Sequence, residues 1–488
     1  MTAEFIQPDL VPALPEMVML AMTCLVLVVD LFLPQNKRGF TLLLAVATLA
    51  LTIAAVMLVA PVTSVSSFGG TFVLDQLAVV LKIATCAVTI LVFVYSRDYL
   101  VDNDIYQGEY YVLGLFATLG MMIMISAHSF LLVYLGLELL SLSLYAMIAF
   151  KRNSLSASEA AMKYFVLGAM ASGLLLYGIS IFYGITGTLD INEVSASVSE
   201  QMSLHPVALG FALTFIVVGL SFKLGAVPFH MWLPDIYQGS PTSVTLFIGT
   251  APKIAGFAMA IRLLVDGLGD LQFDWSQMLT VLALASMAIG NVIAIAQTNF
   301  KRMLAYSTIS HVGFILLGIL AATANGYASA MFYTITYSIT ASVAFGVLLV
   351  LNRKGFEAEN ISDLSGLNDS NPWYAALLAI AMFSMAGVPP TVGFYAKLSV
   401  LQAVVQVDMI WLAVVAVLFS VIGLFYYLRV VKVMYFDQPL PEQTTSIKEA
   451  LDVKVLLGAN SLSLILLGVF PSGLMAYCIL AFSQITGS

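Results

Sequence analysis

Four ionisable residues lie inside long apolar runs where hydrocarbon is expected: Glu138, Lys223, Lys253 and Lys397. A charge at the centre of a bilayer costs about 2.5–3.5 kcal/mol even on lenient insertion scales, so each needs a compensating reason to be there. Glu138 sits within Leu135-Gly136-Leu137-Glu138-Leu139-Leu140, and Lys223 precedes Gly225-Ala226-Val227-Pro228. Lys253 directly follows Pro252, and Lys397 comes shortly after Pro389 and Pro390. A proline inside a helix removes an amide donor and frees a carbonyl, and the gap admits water that also solvates an ammonium group. Pro228, Pro252, Pro389 and Pro390 are therefore the expected helix breaks. Lysine suits proton relay because burial and a nearby carboxylate act oppositely on its charged form, so a change of partner loads or releases a proton. Glu138 with Lys223 is the expected working pair. The competing reading makes all four buried structural ion pairs or hydrogen-bonded helix glue; three amines beside helix breaks weigh against it.

Lys163, His230 and His311 are secondary relay candidates. Lys163 divides evenly between relay and structure, and a lone histidine, although it can exchange protons near neutral pH, is more often a satisfied packing residue. Lys82 has Asp75 on roughly the same helix face as a structural partner. His128 and His205 fall at expected helix ends, and Asp30, also at a helix end, is expected to be solvated. His311 follows Glu138 by 173 residues (311 minus 138) and Lys397 follows Lys223 by 174 (397 minus 223). That spacing hints at repeat counterparts, although the two breaks, Pro228 and Pro389, lie only 161 apart (389 minus 228).

The elements that hold these residues follow from composition. Hydrophobic residues make up 61% of the 488 and charged residues 9%, with a mean hydropathy of +1.00; lipid is the solvent for most of the chain. Runs of about twenty apolar residues, each long enough to cross roughly 30 Å of hydrocarbon, recur throughout. They predict an all-α polytopic membrane protein of about fourteen transmembrane helices. These are placed near 13–33, 40–60, 73–96, 109–127, 130–150, 157–184, 206–225, 242–264, 277–297, 302–322, 327–351, 372–400, 409–435 and 455–483. The polar stretches 188–204, 352–371 and 437–454 are taken as ordinary loops. The first apolar run lacks a basic leader and a small-residue cleavage site, so it is expected to be retained, with the mature chain beginning near Met1.

Alternate loops and helix ends give an independent check. One side holds Lys37, Arg38, Arg97, Lys151, Arg152, Lys301, Arg302, Arg353, Lys354, Arg429, Lys432, Lys448 and Lys454, the other Arg262 alone. The positive-inside rule then places both termini in the periplasm of a bacterial inner membrane. The two proline breaks fall in the fourth members of helices four to eight and nine to thirteen, which predicts two five-helix repeats. An odd helix count inverts one against the other, as in many transporters. The expected division is 1–105 (three added helices), 106–270, 271–437 (the repeats) and 438–488 (a last helix).

Other chemistries find no support. Cys24, Cys86 and Cys478 lie scattered in apolar runs, which argues against a disulfide framework, an iron–sulfur cluster or a metal site. A net charge of −8 offers no basic face to nucleic acid, and no Gly-rich nucleotide loop follows a strand-like segment. No cofactor is expected on this chain.

Three segments carry a family resemblance: Phe130-Leu131-Leu132-Val133-Tyr134-Leu135-Gly136-Leu137-Glu138-Leu139-Leu140-Ser141-Leu142-Ser143-Leu144-Tyr145, then Lys223-Leu224-Gly225-Ala226-Val227-Pro228-Phe229-His230-Met231-Trp232-Leu233-Pro234-Asp235, and Lys301-Arg302-Met303-Leu304-Ala305-Tyr306-Ser307-Thr308-Ile309-Ser310-His311. They resemble the antiporter-like membrane subunits of proton-pumping NADH:quinone oxidoreductase, respiratory complex I, and most closely its subunit N. The second and third segments are shared with multisubunit cation/proton antiporters; the Glu138 segment and Lys397 favour subunit N. The resemblance implies that Glu138 and Lys223 form a coupling pair, that Lys253 is a central relay and that Lys397 lies near the periplasmic exit. It also implies that NADH, FMN, iron–sulfur clusters and quinone are bound by partner subunits. The expected partners include another antiporter-like subunit, a small membrane subunit and lipid. Two rivals stand beside this reading: a cation/proton antiporter subunit without redox coupling, and a purely structural membrane scaffold.

Overall fold

In lipid every backbone donor and acceptor must find a partner within the protein, and for long apolar runs the helix is the form that does so. The computed structural model describes residues 9–34, 37–352, 356–439 and 450–483. Met1, Arg353, Lys354 and Lys448 lie outside the described residues. The chain opens with α1 (Leu14–Leu31) and α2 (Gly39–Leu58), then a hairpin of β1 (Val65–Ser67) and β2 (Phe72–Leu74), antiparallel with Ser66 opposite Val73. Next come α3 (Gln76–Asp102), α4 (Glu109–Ser126), α5 (Phe130–Ile148), α6 (Leu155–Thr186) and the shorter α7 (Ile191–Leu204).

One broken crossing follows, made of α8 (Pro206–Leu224) and α9 (Trp232–Gly239). The next is α10 (Thr242–Gly249) and α11 (Ala251–Ala260), which runs on as a π-helical turn over Ile261–Gly267. Then come α12 (Gln272–Ala296), α13 (Phe300–Leu320), α14 (Ala324–Leu351), the single turn α15 (Leu367–Ser370), the broken pair α16 (Pro372–Ala386) and α17 (Val392–Gln406), α18 (Ile410–Phe436), α19 (Leu451–Val469) and α20 (Ser472–Ser483). Among the described residues thirteen helical segments are long and apolar enough to cross a membrane. The α16–α17 pair adds one more, which gives the fourteen crossings that the hydropathy pattern predicts. The run over α10–α11 and the α13 helix are wholly enclosed by their neighbours, whereas α1, α6 and α18 turn rows of leucine, valine and phenylalanine outward.

Three expectations change. Residues 188–204 are not an ordinary loop: Asp190 accepts from the Asn192 and Glu193 amides and starts α7, which buries Ile191, Val194 and Val198. Spacings of three and four put those side chains on one face, a pattern that a hydropathy window averages away. The last crossing is not continuous but breaks at Phe470-Pro471, where proline has no amide to donate. Asp30 is not simply solvated, because it accepts from the Thr41 hydroxyl at 2.6 Å.

Close approaches recur at a fixed offset. A Cβ on Gly120 of α4 would lie 2.7 Å from Leu140 N and 2.8 Å from Gly136 O; one on Gly290 of α12 would lie 2.7 Å from Ser310 N and 2.9 Å from Tyr306 O. Each position in the second set is the first plus 170 (290 minus 120, 310 minus 140, 306 minus 136). The isolated bridges Ser129–Asp190 and Asn299–Asn360 share that offset (299 minus 129, 360 minus 190). In the broken crossings Gly225 and Gly387, both left-handed at φ of +86° and +84°, lie 162 apart (387 minus 225). Glu138 therefore aligns with Thr308 and Lys223 with Met385, not with His311 and Lys397 as the spacing of charges suggested. Pro228 aligns with Pro390, one residue beyond Pro389.

The first three helices are tied to the rest by a buried charge cluster. Lys82 pairs with Glu16 of α1 at 2.6 Å rather than with Asp75. Asp75 caps α3 by accepting from Ala78 N and pairs with Arg262, whose guanidinium also holds Asp266 at 2.9 Å. On the face rich in basic residues, Glu357 bridges Lys151 and the Tyr99 hydroxyl. Burial pushes the Glu357 carboxyl up, but Lys301 and Lys151 outweigh it and hold that group below the usual carboxylate range. Its contribution to closing this face is present above that range and is lost as pH falls through it.

Removing one partner of a buried ion cluster leaves its counter-charges stranded, at a cost of about 3–5 kcal/mol. Arg262→Gln is expected to lower the thermal unfolding midpoint of the detergent-solubilised protein and reduce its yield; an unchanged midpoint would show that the cluster does not hold α3 to the π-helical turn.

Candidate functional site

A helix that stops inside the membrane leaves carbonyls without intrahelical donors, and in this protein Lys253 and Lys397 go to such carbonyls. At the first break α8 ends on the left-handed Gly225. Lys253, at the start of α11, donates to Leu224 O at 3.0 Å. The amide of Val227 inside the break is satisfied by the Ser286 hydroxyl of α12 at 2.9 Å. At the second break Lys397 donates to Ala386 O at 2.9 Å and to the Ser420 hydroxyl of α18 at 2.9 Å. Pro252 opens α11 just after Thr250, which leaves the helical region (φ −122°, ψ −94°), so the third expected break separates α10 from α11.

Lys223 is 7% exposed and donates to the Ser141 hydroxyl of α5 at 3.1 Å. Glu138, one turn back on the same helix, is half-buried, and its Oε1 is enclosed without a hydrogen-bond partner among the described residues. Lys223 therefore reaches α5 at Ser141, one turn from Glu138, rather than forming a direct ion pair with Glu138. A cavity of about 10 Å³, enough for one water, opens at Lys223 and is lined by Ser141, Tyr145, Tyr164 and Ser172. A second of about 10 Å³ opens at Lys397 beside His311, Tyr333, Tyr337 and Ser384.

His311 joins this second group. Its Nδ1 lies 2.6 Å from Tyr333 Oη and its Nε2 3.0 Å from Tyr427 Oη, which is 2.5 Å from Ser307 Oγ. Hydroxyls and an imidazole both give and accept protons, so this chain is able to pass one along. His230 is half-buried beyond the first break, with Nδ1 enclosed and unpartnered among the described residues. Lys163 is elsewhere: at the basic face, 43% exposed, it pairs with Glu159 at 2.9 Å and Asp235 at 2.8 Å. Asp235 also binds Arg302, so Lys163 belongs to a clasp of α6, α9 and α13. Among the described residues no group of three or more His, Cys, Asp or Glu is placed to hold a metal ion.

Sequence reasoning passed over Ser141, Tyr145, Tyr333 and Tyr427. A serine or tyrosine in an apolar run is ordinary helix chemistry, and only the packing of α5, α14 and α18 shows which of them face a lysine or histidine.

The chain matches the family described as NADH:quinone oxidoreductase/Mrp antiporter, TM, over residues 127–423. It is 62% identical over 470 residues to NADH-quinone oxidoreductase subunit N of Thioalkalivibrio sulfidiphilus, covering 96% of this chain and 97% of that one. It is 53% identical over 484 residues to the protein of the same name from Alkalilimnicola ehrlichii, covering 99% and 98%. Among solved structures, a chain of respiratory complex I from Thermus thermophilus superposes with a TM-score of 0.80 at 29% identity, covering 95% of this chain and 98% of that one. A chain of the Mrp complex from Dietzia sp. superposes with a TM-score of 0.83 at 21% identity, covering 98% of each, a likeness of fold.

A Cβ on Gly168 of α6 would fall 2.2 Å from Tyr145 Oη. Gly168→Ala is expected to turn the Tyr145 hydroxyl away and reshape the Lys223 cavity, as read from a structure of the variant; an unmoved Tyr145 ring would contradict that packing.

Proposed function

The chain belongs to the NADH:quinone oxidoreductase/Mrp antiporter family, within its NADH-quinone oxidoreductase subunit N group, and from that premise we propose that it carries protons across the membrane while redox chemistry proceeds in partner subunits. The observation that carries this reading is the state of the amines. Lys223 and Lys253 are buried and Lys397 is part-buried, all three held on hydroxyls or freed carbonyls, and water-sized cavities adjoin Lys223 and Lys397. An ammonium held by neutral acceptors gives up its proton without stranding a carboxylate, which a tight ion pair does not permit.

In this scheme Glu138 and Lys223 receive the proton, with Ser141 and a water in the Lys223 cavity on the Lys223 side. Lys253 passes it between the halves, and Lys397, with His311 and its tyrosines as a secondary path, releases it. His230 stands beside the first break as a further relay group, and Lys163 acts in the clasp. The recurring offsets of 170 and 162 support treating 106–270 and 271–437 as inverted copies flanked by 1–105 and 438–488. The face bearing Lys151, Lys301 and Arg302 is the cytoplasmic one and both termini are periplasmic, which the excess of basic residues supports.

The protein works as a non-redox subunit of a proton-translocating NADH:quinone oxidoreductase in a bacterial inner membrane. NADH, FMN, iron–sulfur clusters and quinone are bound by its partners. Half-exposed Glu138 and Lys397 at mid-span are unsuited to lipid, which supports contact with neighbouring membrane subunits, another antiporter-like subunit and a small one among them.

Glu138→Gln and Lys223→Met, tested in vesicles containing the assembled complex, are expected to lower protons moved per NADH oxidised at least threefold while assembly persists. Full pumping by assembled variants would reject the relay.

A further inference from the structure

The two breaks use different lysines in one and the same way. Leu224 and Ala386 each precede a left-handed glycine, 162 residues apart (386 minus 224). Lys253 reaches the first carbonyl from the next crossing, while Lys397 reaches the second from the far half of its own. The position of Lys223 in the first break is occupied in the second by Met385, so the structural partner of Lys397 is Lys253, although no sequence offset relates them.

The likeness extends to an aromatic face. Lys253 Nζ lies 5.5 Å from the ring centroid of Trp232, and Lys397 Nζ lies 5.3 Å from that of Phe314. Both fall within the roughly 6 Å over which a ring's negative face attracts a cation. Each ring is stacked on a tyrosine: Trp232 on Tyr164 at 4.8 Å, Phe314 on Tyr333 at 5.8 Å. Those tyrosines in turn line the cavities at Lys223 and Lys397. Trp232 is further pinned by its indole N–H, which donates to Phe222 O at 2.9 Å.

We propose that Trp232 and Phe314 are positioning residues, each supplying a cation–π face that holds its lysine's charged amine on the break carbonyl. This rests on the relay reading of Lys253 and Lys397. Carbonyl and ring, joined at Lys397 by the Ser420 hydroxyl, support the ammonium without a carboxylate, leaving its remaining donors to water. The stacked tyrosine sets the distance. Because ring and carbonyl are both uncharged, the amine can lose its proton with neither left as an unpaired charge.

The test compares side chains of similar apolar bulk with and without a π face, in vesicles containing the whole complex and normalised to assembled protein. Trp232→Leu and Phe314→Leu are expected to lower proton pumping at equal NADH turnover at least threefold, while Trp232→Phe and Phe314→Tyr keep most of it. If the leucine variants pump as the parent does, or if the aromatic variants are no better than leucine, the cradle is refuted. Phe314→Leu is the milder change and decides the matter if Trp232→Leu does not assemble. Lys253→Met and Lys397→Met run alongside: pumping retained there would reject the relay itself, whereas pumping lost there but retained in the leucine variants would reject only the aromatic role.

Discussion

Hydrocarbon offers nothing to an ammonium group, so each buried lysine must find acceptors inside the protein or not be charged at all. This chain meets the requirement by interrupting its own helices. Gly225 and Gly387 adopt the left-handed conformation that ends a helix in mid-membrane, and the carbonyls just before them become acceptors that Lys253 and Lys397 use. Gly387 also leaves the space in which the Lys397 stem runs, since a Cβ there would lie 2.9 Å from Lys397 Cδ. The break, the amine and the small cavity beside it are thus one arrangement.

The rest of the fold can be understood as what holds two such breaks in register. Glycine contacts press α4 on α5 and α12 on α13 at matching positions. The clasp of Lys163, Asp235 and Arg302 fixes α9 on the basic face, and the Asp75–Arg262–Asp266 cluster fixes the opposite end of the α10–α11 crossing. Between Lys253 and Arg262 the helix carries only apolar residues and glycine. Lys253 is therefore separated from that end along its own helix by apolar side chains.

Much of this was legible in the residues. Hydropathy located the crossings because a helix in lipid needs about twenty apolar residues and little else. Pro228, Pro252, Pro389 and Pro390 located their breaks, though the one at Pro471 went unread, and the isolated lysines proved to sit beside those breaks. What stayed hidden was set by packing across helices. That Lys82 meets Glu16, that Asp75 belongs to Arg262, and that Lys223 reaches Ser141 rather than Glu138 depend on which faces of α1, α3, α5 and α8 meet. The counterpart of Lys397 was hidden for a deeper reason: the two halves place an amine at the same carbonyl from different points in the chain.

A proton relay through these amines requires that water reach them. It is tested most directly by a density map of the intact complex in lipid, at a resolution that shows ordered water. Water is expected in the cavities at Lys223 and Lys397, in contact with Ser141 or Tyr145 at the first and with the His311–Tyr333 pair at the second. Dry cavities, with both amines sealed by apolar side chains, would contradict it.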